Sequence, residues 1–172
     1  MAMTESTMLE LGTEAPDFAL ADVMTGKAVR RDDFRDRKAL LVMFICAHCP
    51  YVKHIEKTLG KLGADYANKP LAIVAISAND VAASPNDSPD GLRAQAKANG
   101  FTFPYLYDES QTVARAYKAA CTPDFFLFDA KRKLVYRGQY DSSRPGNGIP
   151  VTGEDLRAAI DTVLAGKPVS PN

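Results

Sequence analysis

The sequence predicts an α/β domain with a central mixed sheet flanked by helices and an N-terminal β extension. Three observations carry that expectation. Residues 40–45 and 71–76 are two uninterrupted runs of six apolar residues, the composition of strands buried on both faces. Between them Val52, Ile55, Leu59, Leu62 and Tyr66 recur at 3-4-3-4 spacing, the apolar stripe of a helix. The remaining segments continue the alternation and then close with two strands and a helix, an order that builds a sheet parallel in the middle with an antiparallel hairpin at one side.

Each element has its own signal. Ala15-Pro16-Asp17 followed by Phe18, Leu20 and Val23 indicates a short strand, and Met24-Thr25-Gly26-Lys27 a turn into a second. These make the β extension; residues 1–11 before them read as a disordered or extended tail. Lys53, Glu56, Lys57 and Lys61 supply the polar face of the first helix, and Pro50 fits its first turn, where a missing N–H costs nothing. Residues 79–90, with two prolines and three aspartates, read as a long loop, and residues 91–99 as a helix stopped by Gly100. Residues 101–106 form a strand-like run broken by Pro104, and residues 110–120 have the composition of another helix. Residues 125–128 and 134–136 read as a hairpin, and residues 137–150 as a loop rich in Gly and Pro. Thr152-Gly153-Glu154-Asp155 resembles a capping box before a final helix faced by Leu156, Ile160, Val163 and Leu164.

A chain of 172 residues is the size of one domain, and residues 1–172 are read as such. The 21 basic and 21 acidic residues balance, which leaves no positive field for nucleic acid. The longest apolar run, residues 39–47, is too short to span a membrane. No basic segment precedes an apolar stretch near Met1, so the expected address is the cytoplasm. Three cysteines in a reducing compartment point to chemistry or packing and not to a disulfide framework.

Two of them stand in Cys46-Ala47-His48-Cys49-Pro50, between a buried strand and a helix. Thiols react as thiolates, and the unpaired N–H groups and dipole of a helix N-terminus stabilise that anion. On this reading Cys46 is the exposed nucleophile and Cys49, one helical turn on, resolves the mixed disulfide. His48 is either an imidazole that favours the thiolate or a ring facing solvent. His54 lies off the face of Cys49 and reads as an exposed helix histidine. A structural zinc site needs four ligands, and no second ligand pair stands in the sequence, so neither a metal nor a cofactor is expected. Farther on comes Cys121-Thr122-Pro123, where base rates alone favour a trans bond and Cys121 is a candidate for plain burial.

Taken together, these segments resemble the peroxiredoxin-like, AhpC/TSA-related branch of the thioredoxin-like fold over roughly residues 12–166. The resemblance rests on Ala15-Pro16-Asp17-Phe18, the strand running into Cys46-Ala47-His48-Cys49-Pro50, and Thr122-Pro123-Asp124 before Phe126-Leu127-Phe128-Asp129. It implies a cis peptide at Thr122-Pro123 beside the redox pair, and a Cys121 close to both thiols. It also exposes departures. True peroxiredoxins carry Pro-x-x-x-Thr/Ser-x-x-Cys; counting back from Cys49, Cys46 and Val42 occupy those positions, and from Cys46, Met43 and Ala39 do. Thioredoxins place Trp before the first cysteine and a buried acid six residues before it; here Ile45 and Leu40 stand there. The Ala-His pair is closer to the Pro-His of oxidising enzymes than to the Gly-Pro of reducing ones, in conflict with a cytoplasmic address.

The expected function is thiol–disulfide exchange by Cys46 and Cys49, with Pro50, His48, Cys121, Thr122 and Pro123 in support. Its partners would be protein or small-molecule disulfides and thiols, with a reductant such as thioredoxin or glutathione. One alternative is a thiol peroxidase acting on hydroperoxides through a sulfenic acid. A second is a non-catalytic module that binds a metal or a thiol.

Overall fold

The computed structural model describes residues 9–119 and 121–170. Seven strands form one sheet: β1 (Ala19–Asp22), β2 (Ala28–Arg30), β3 (Ala39–Phe44), β4 (Leu71–Ser77), β5 (Tyr105–Tyr107), β6 (Asp124–Phe128) and β7 (Leu134–Gly138). Their spatial order is β2-β1-β5-β4-β3-β6-β7. β3, β4 and β5 run parallel, with Leu41 opposite Ile73 and Ala75 opposite Tyr105. β6 lies antiparallel to β3, β7 to β6, and the β1–β2 hairpin closes the other edge. The two apolar runs are thus central strands, buried along their full length.

Alternation along β3 sends its side chains into two cores. Leu41 and Met43 meet α1 (Pro50–Asp65), α2 (Pro89–Asn99) and α4 (Glu154–Leu164) through Leu59, Leu92 and Ile160. Leu40, Val42 and Phe44 meet the short α3 (Thr112–Ala116) and the N-terminal lead-in, where Tyr117 packs edge-on to Phe126. Leu9 is buried in this second core, so the expected tail is anchored by residue 9; residues 1–8 lie outside the described residues. Among the described residues no helix is long and apolar enough to cross a membrane.

Four local expectations change. The helix expected over 110–120 is only Thr112–Ala116, because Gln111 and Lys118 both adopt left-handed backbone and bound it on either side; Ala120 is not among the described residues. The run 101–106 yields a strand only after Pro104, whose carbonyl accepts the Ala75 N–H at 3.0 Å; Phe101 and Phe103 stack on each other instead, centroids 4.8 Å apart. The loop 79–90 contains a 3-10 turn, Pro85–Asp87, and the start of α2, capped by Ser88 Oγ accepting from Gly91 N–H. No capping box forms at Thr152. Gly153, in left-handed backbone, caps α4, and the carboxylate of Asp141 accepts the N–H groups of Thr152 and Gly153, each at 2.7 Å.

Candidate active site

β3 ends at Phe44, but the chain stays in ladder register for one residue more: Ile45 N–H donates to the Ile76 carbonyl at 3.0 Å. Cys46 therefore remains inside the protein. It is fully buried, its carbonyl accepts from Gln95 Nε2 at 2.9 Å, and its Sγ lies 3.4 Å from Thr122 Oγ1. This corrects the expectation of an exposed Cys46: the residue that follows the last ladder bond is covered by Thr122 and Gln95. Cys49 is the N-cap of α1, with Pro50 in the first turn behind it. Its surface exposure is also small, yet Cys49 lines the main cleft of the molecule and Cys46 does not.

The two thiols differ in charge preference as well as position. Cys46 is held well above an ordinary thiol, first because its proton is shared with Cys49, then by burial, with Asp87 adding to the effect. Cys49 is lowered to about 5. The Cys46 thiol donates to it, and the Thr122 side chain and the N–H groups of Val52 and Tyr51 add stabilisation against the cost of burial. In its neutral state Cys49 donates to the Thr122 carbonyl at 3.5 Å. Thr122 therefore touches both sulfurs, and the Thr122–Pro123 bond is cis. Cys121 faces the same cleft, and burial pushes its thiol up to about 11, with Asp124 and Cys49 adding to the shift.

A carboxylate that the sequence did not reveal organises the loop. Asp87, fully buried in the 3-10 turn, accepts through Oδ1 from the N–H of Ala47 at 2.7 Å and of His48 at 3.1 Å. Its Oδ2 meets His48 Nδ1 and accepts from Asn79 Nδ2 at 2.9 Å. A buried acid beside the two thiols is thus present, but it comes from the segment before α2 and not from β3. The tight turn needs Gly91: a Cβ there would sit 1.9 Å from the Asn86 carbonyl oxygen. Pro85-Asn86-Asp87-Ser88-Pro89 followed by that glycine was the only local sign of a fixed turn.

The cleft, of about 1060 Å³, opens between Asn79–Ser84 on one side and Gln139–Arg144 on the other, with Cys49, Cys121 and Pro123 at its base. His54 also faces it. Its Nε2 lies 2.7 Å from Ser143 Oγ, which itself donates to the Ile149 carbonyl at 2.6 Å. His54 therefore donates to Ser143 and ties α1 to the rim loop; it is half-buried and not the exposed helix residue expected. His48 is partly exposed and reads as neither of the two roles alone, since its ring faces both solvent and Asp87.

Comparisons with known proteins show the family and the fold. A family model described as AhpC/TSA family matches residues 11–137. A crystal structure of a hypothetical protein from Sinorhizobium meliloti 1021 is 52% identical, with a TM-score of 0.96 over 99% of this chain and 92% of that one. The thioredoxin domain of a Bacteroides vulgatus thiol-disulfide oxidoreductase, 17% identical, superposes with a TM-score of 0.68 over 88% and 98% of the two chains, so the fold is thioredoxin-like. Thiol-disulfide oxidoreductase ResA of Geobacillus thermodenitrificans is 27% identical over 131 residues, 76% of this chain and 70% of its own. A Mycobacterium tuberculosis H37Rv protein provisionally named a peroxiredoxin is 32% identical over 118 residues, 68% of this chain and 69% of its own.

Proposed function

This chain belongs to the AhpC/TSA family, and on that premise we propose that it is a thiol–disulfide oxidoreductase whose dithiol is Cys46 and Cys49. The observation that carries the reading is geometric: Cys49 lines the cleft at the N-terminus of α1, Cys46 is buried behind it, and Thr122 touches both sulfurs. That geometry favours Cys49 as the attacking thiolate, the reverse of the order the motif suggests. Cys49 displaces one sulfur of a substrate disulfide and forms a mixed disulfide. Cys46 then loses its proton and attacks Cys49 Sγ, which closes the Cys46–Cys49 bond and releases the second substrate sulfur as a thiol. Two electrons and two protons pass from the protein to the substrate in the cycle.

Thr122 and Pro123 form the base on which the substrate sulfur would dock, and Asp87 holds the loop between the thiols. A thiol such as glutathione or a thioredoxin would reduce the pair again. The cytoplasmic address belongs to the same proposal, and subcellular fractionation tests it. The order of attack is tested by trapping. Cys46→Ser should accumulate a mixed disulfide at Cys49, whereas Cys49→Ser should form none; a trapped adduct at Cys46 in the Cys49→Ser protein restores the order read from the motif.

A peroxidase reading draws on one further observation, the low value of Cys49 in an open cleft, together with the relative that bears a peroxiredoxin name. In it, the Cys49 thiolate takes an oxygen from a hydroperoxide to become a sulfenic acid, and Cys46 displaces water to form the same disulfide. Peroxide consumption by the reduced protein, with sulfenic acid trapped at Cys49 in Cys46→Ser, separates this reading from the first.

A further inference from the structure

One donor cluster shares a thiol with the exchange chemistry and adds two donors that the exchange does not use. Cys46 Sγ, a ring nitrogen of His48 and an Asp87 carboxylate oxygen all lie within 4.8 Å of one another, and His48 Nδ1 meets Asp87 Oδ2. They come from two segments 39 residues apart at their nearest, Asp87 from the 3-10 turn and the other two from the loop it clamps. Two of the three residues are buried, while the His48 side chain keeps 37% of its exposure and gives the cluster an edge on solvent. A Zn(II) ion bonded at about 2.0–2.3 Å places its ligands about 3.3–3.8 Å apart. The donors therefore need small movements, with His48 Nδ1 and Asp87 separating to admit an ion between them.

We infer that the reduced protein binds one zinc-class divalent ion through Cys46 Sγ, His48 Nδ1 and Asp87 Oδ2, and that this ion and the Cys46–Cys49 disulfide exclude each other. The donor set selects the class. One sulfur, one imidazole nitrogen and one carboxylate oxygen suit a borderline ion; hard calcium or magnesium would want oxygen alone, and Cu(I) more sulfur. Zinc also leaves the thiols reduced, having no redox chemistry of its own. On binding, the Cys46 S–H bond breaks, its proton passes to solvent, and a Zn–S bond forms with no electron transferred. His48 keeps its other proton on Nε2 and gives the Nδ1 lone pair. Three protein ligands leave a fourth position for water or Cys49.

The regulatory half of the inference rests on the dithiol reading above. Zinc on Cys46 removes the resolving thiol and holds the site reduced but silent; the disulfide removes the sulfur ligand and releases the ion. Asp87 divides its two oxygens: Oδ1 accepts the two loop N–H groups, which leaves Oδ2 as the oxygen facing His48.

The test is a Zn(II) titration of the reduced protein against a chromophoric chelator, repeated after diamide oxidation and with Co(II) as a spectroscopic substitute. One equivalent should bind, with a thiolate-to-cobalt charge-transfer band, and oxidation should release it. Asp87→Asn, which keeps an oxygen for the loop N–H groups, and His48→Gln, on the exposed edge, should each weaken binding at least about tenfold. Absence of stoichiometric uptake, or affinity in both variants unchanged from the unsubstituted protein, overturns the site. Disulfide exchange by the metal-free reduced protein is measured on the same samples, so failure of the zinc site is distinct from failure of the oxidoreductase reading.

Discussion

Two buried aspartates hold segments that line the cleft, and they use the same chemistry to different ends. Asp87 accepts two N–H groups of the thiol loop, and Asp141 accepts N–H groups of Ser143, Thr152 and Gly153 on the opposite rim. Each replaces backbone partners that a loop cannot find for itself. The difference lies in what else each carboxylate meets. Asp141 meets backbone only in these bonds, and so fixes a loop and the start of α4. Asp87 also meets the His48 ring and raises the Cys46 thiol through its charge. A staple becomes part of a reactive site only when titratable groups share its carboxylate.

The sharpest way to break this comparison is to remove each carboxylate in turn. Asp87→Ala and Asp141→Ala should each cost about 2–5 kcal/mol in denaturant unfolding, because several buried donors lose their acceptor. Only Asp87→Ala should change the rate of thiol alkylation in the folded protein, and an altered rate in Asp141→Ala ends the distinction. Asp87→Asn isolates the charge. With the negative charge gone, Cys46 should give up its proton at lower pH, read as a downward shift in the pH profile of its alkylation.

The pH dependence of the reduced protein sharpens the contrast between the two thiols. Cys49 is depressed in the fold from 9.0 to about 5. Its contribution is full above the unfolded value and declines as pH falls toward 5, because the unfolded chain takes up the proton first. Cys46 is raised in the fold and disfavours folding above 9, where the unfolded chain ionises freely. Urea unfolding of the reduced protein should therefore show stability rising from pH 5 toward 9 and turning over above it. A flat profile through that window would remove the thiolate from Cys49.

Smaller effects are expected at the rim. At pH 7 Cys121, near 11, should be alkylated far more slowly than Cys49, and Cys121→Ser should keep disulfide exchange within about twofold. His54→Ala removes the bond to Ser143 and should cost about 1 kcal/mol, with KM for a bulky disulfide moving more than kcat.

Much of the fold and one half of the site were legible in the chain itself. Apolar runs of six and a 3-4-3-4 stripe mark β3, β4 and α1 because burial on two faces, or on one stripe, writes its period directly into neighbouring residues. The same local logic places Cys46, Cys49 and Pro50 at a strand-to-helix junction. It overreached where a residue's partners lie far away. Thr152 looked like a cap until Asp141 took the N–H groups, and His54 looked exposed until the rim loop met it.

The order of elements, a paired thiol at the start of α1 and a third cysteine before Thr122-Pro123 are written locally in the chain. Which thiol is buried, which one faces the cleft and which carboxylate stands beside them emerge only when the chain is folded. Periodicity reports whether a side chain is inside, but a carboxylate and a loop N–H meet only after the sheet and α2 have brought residues 47 and 87 together. That contact has no local pattern, because nothing in the nearest neighbours of Asp87 depends on the residue it will hold.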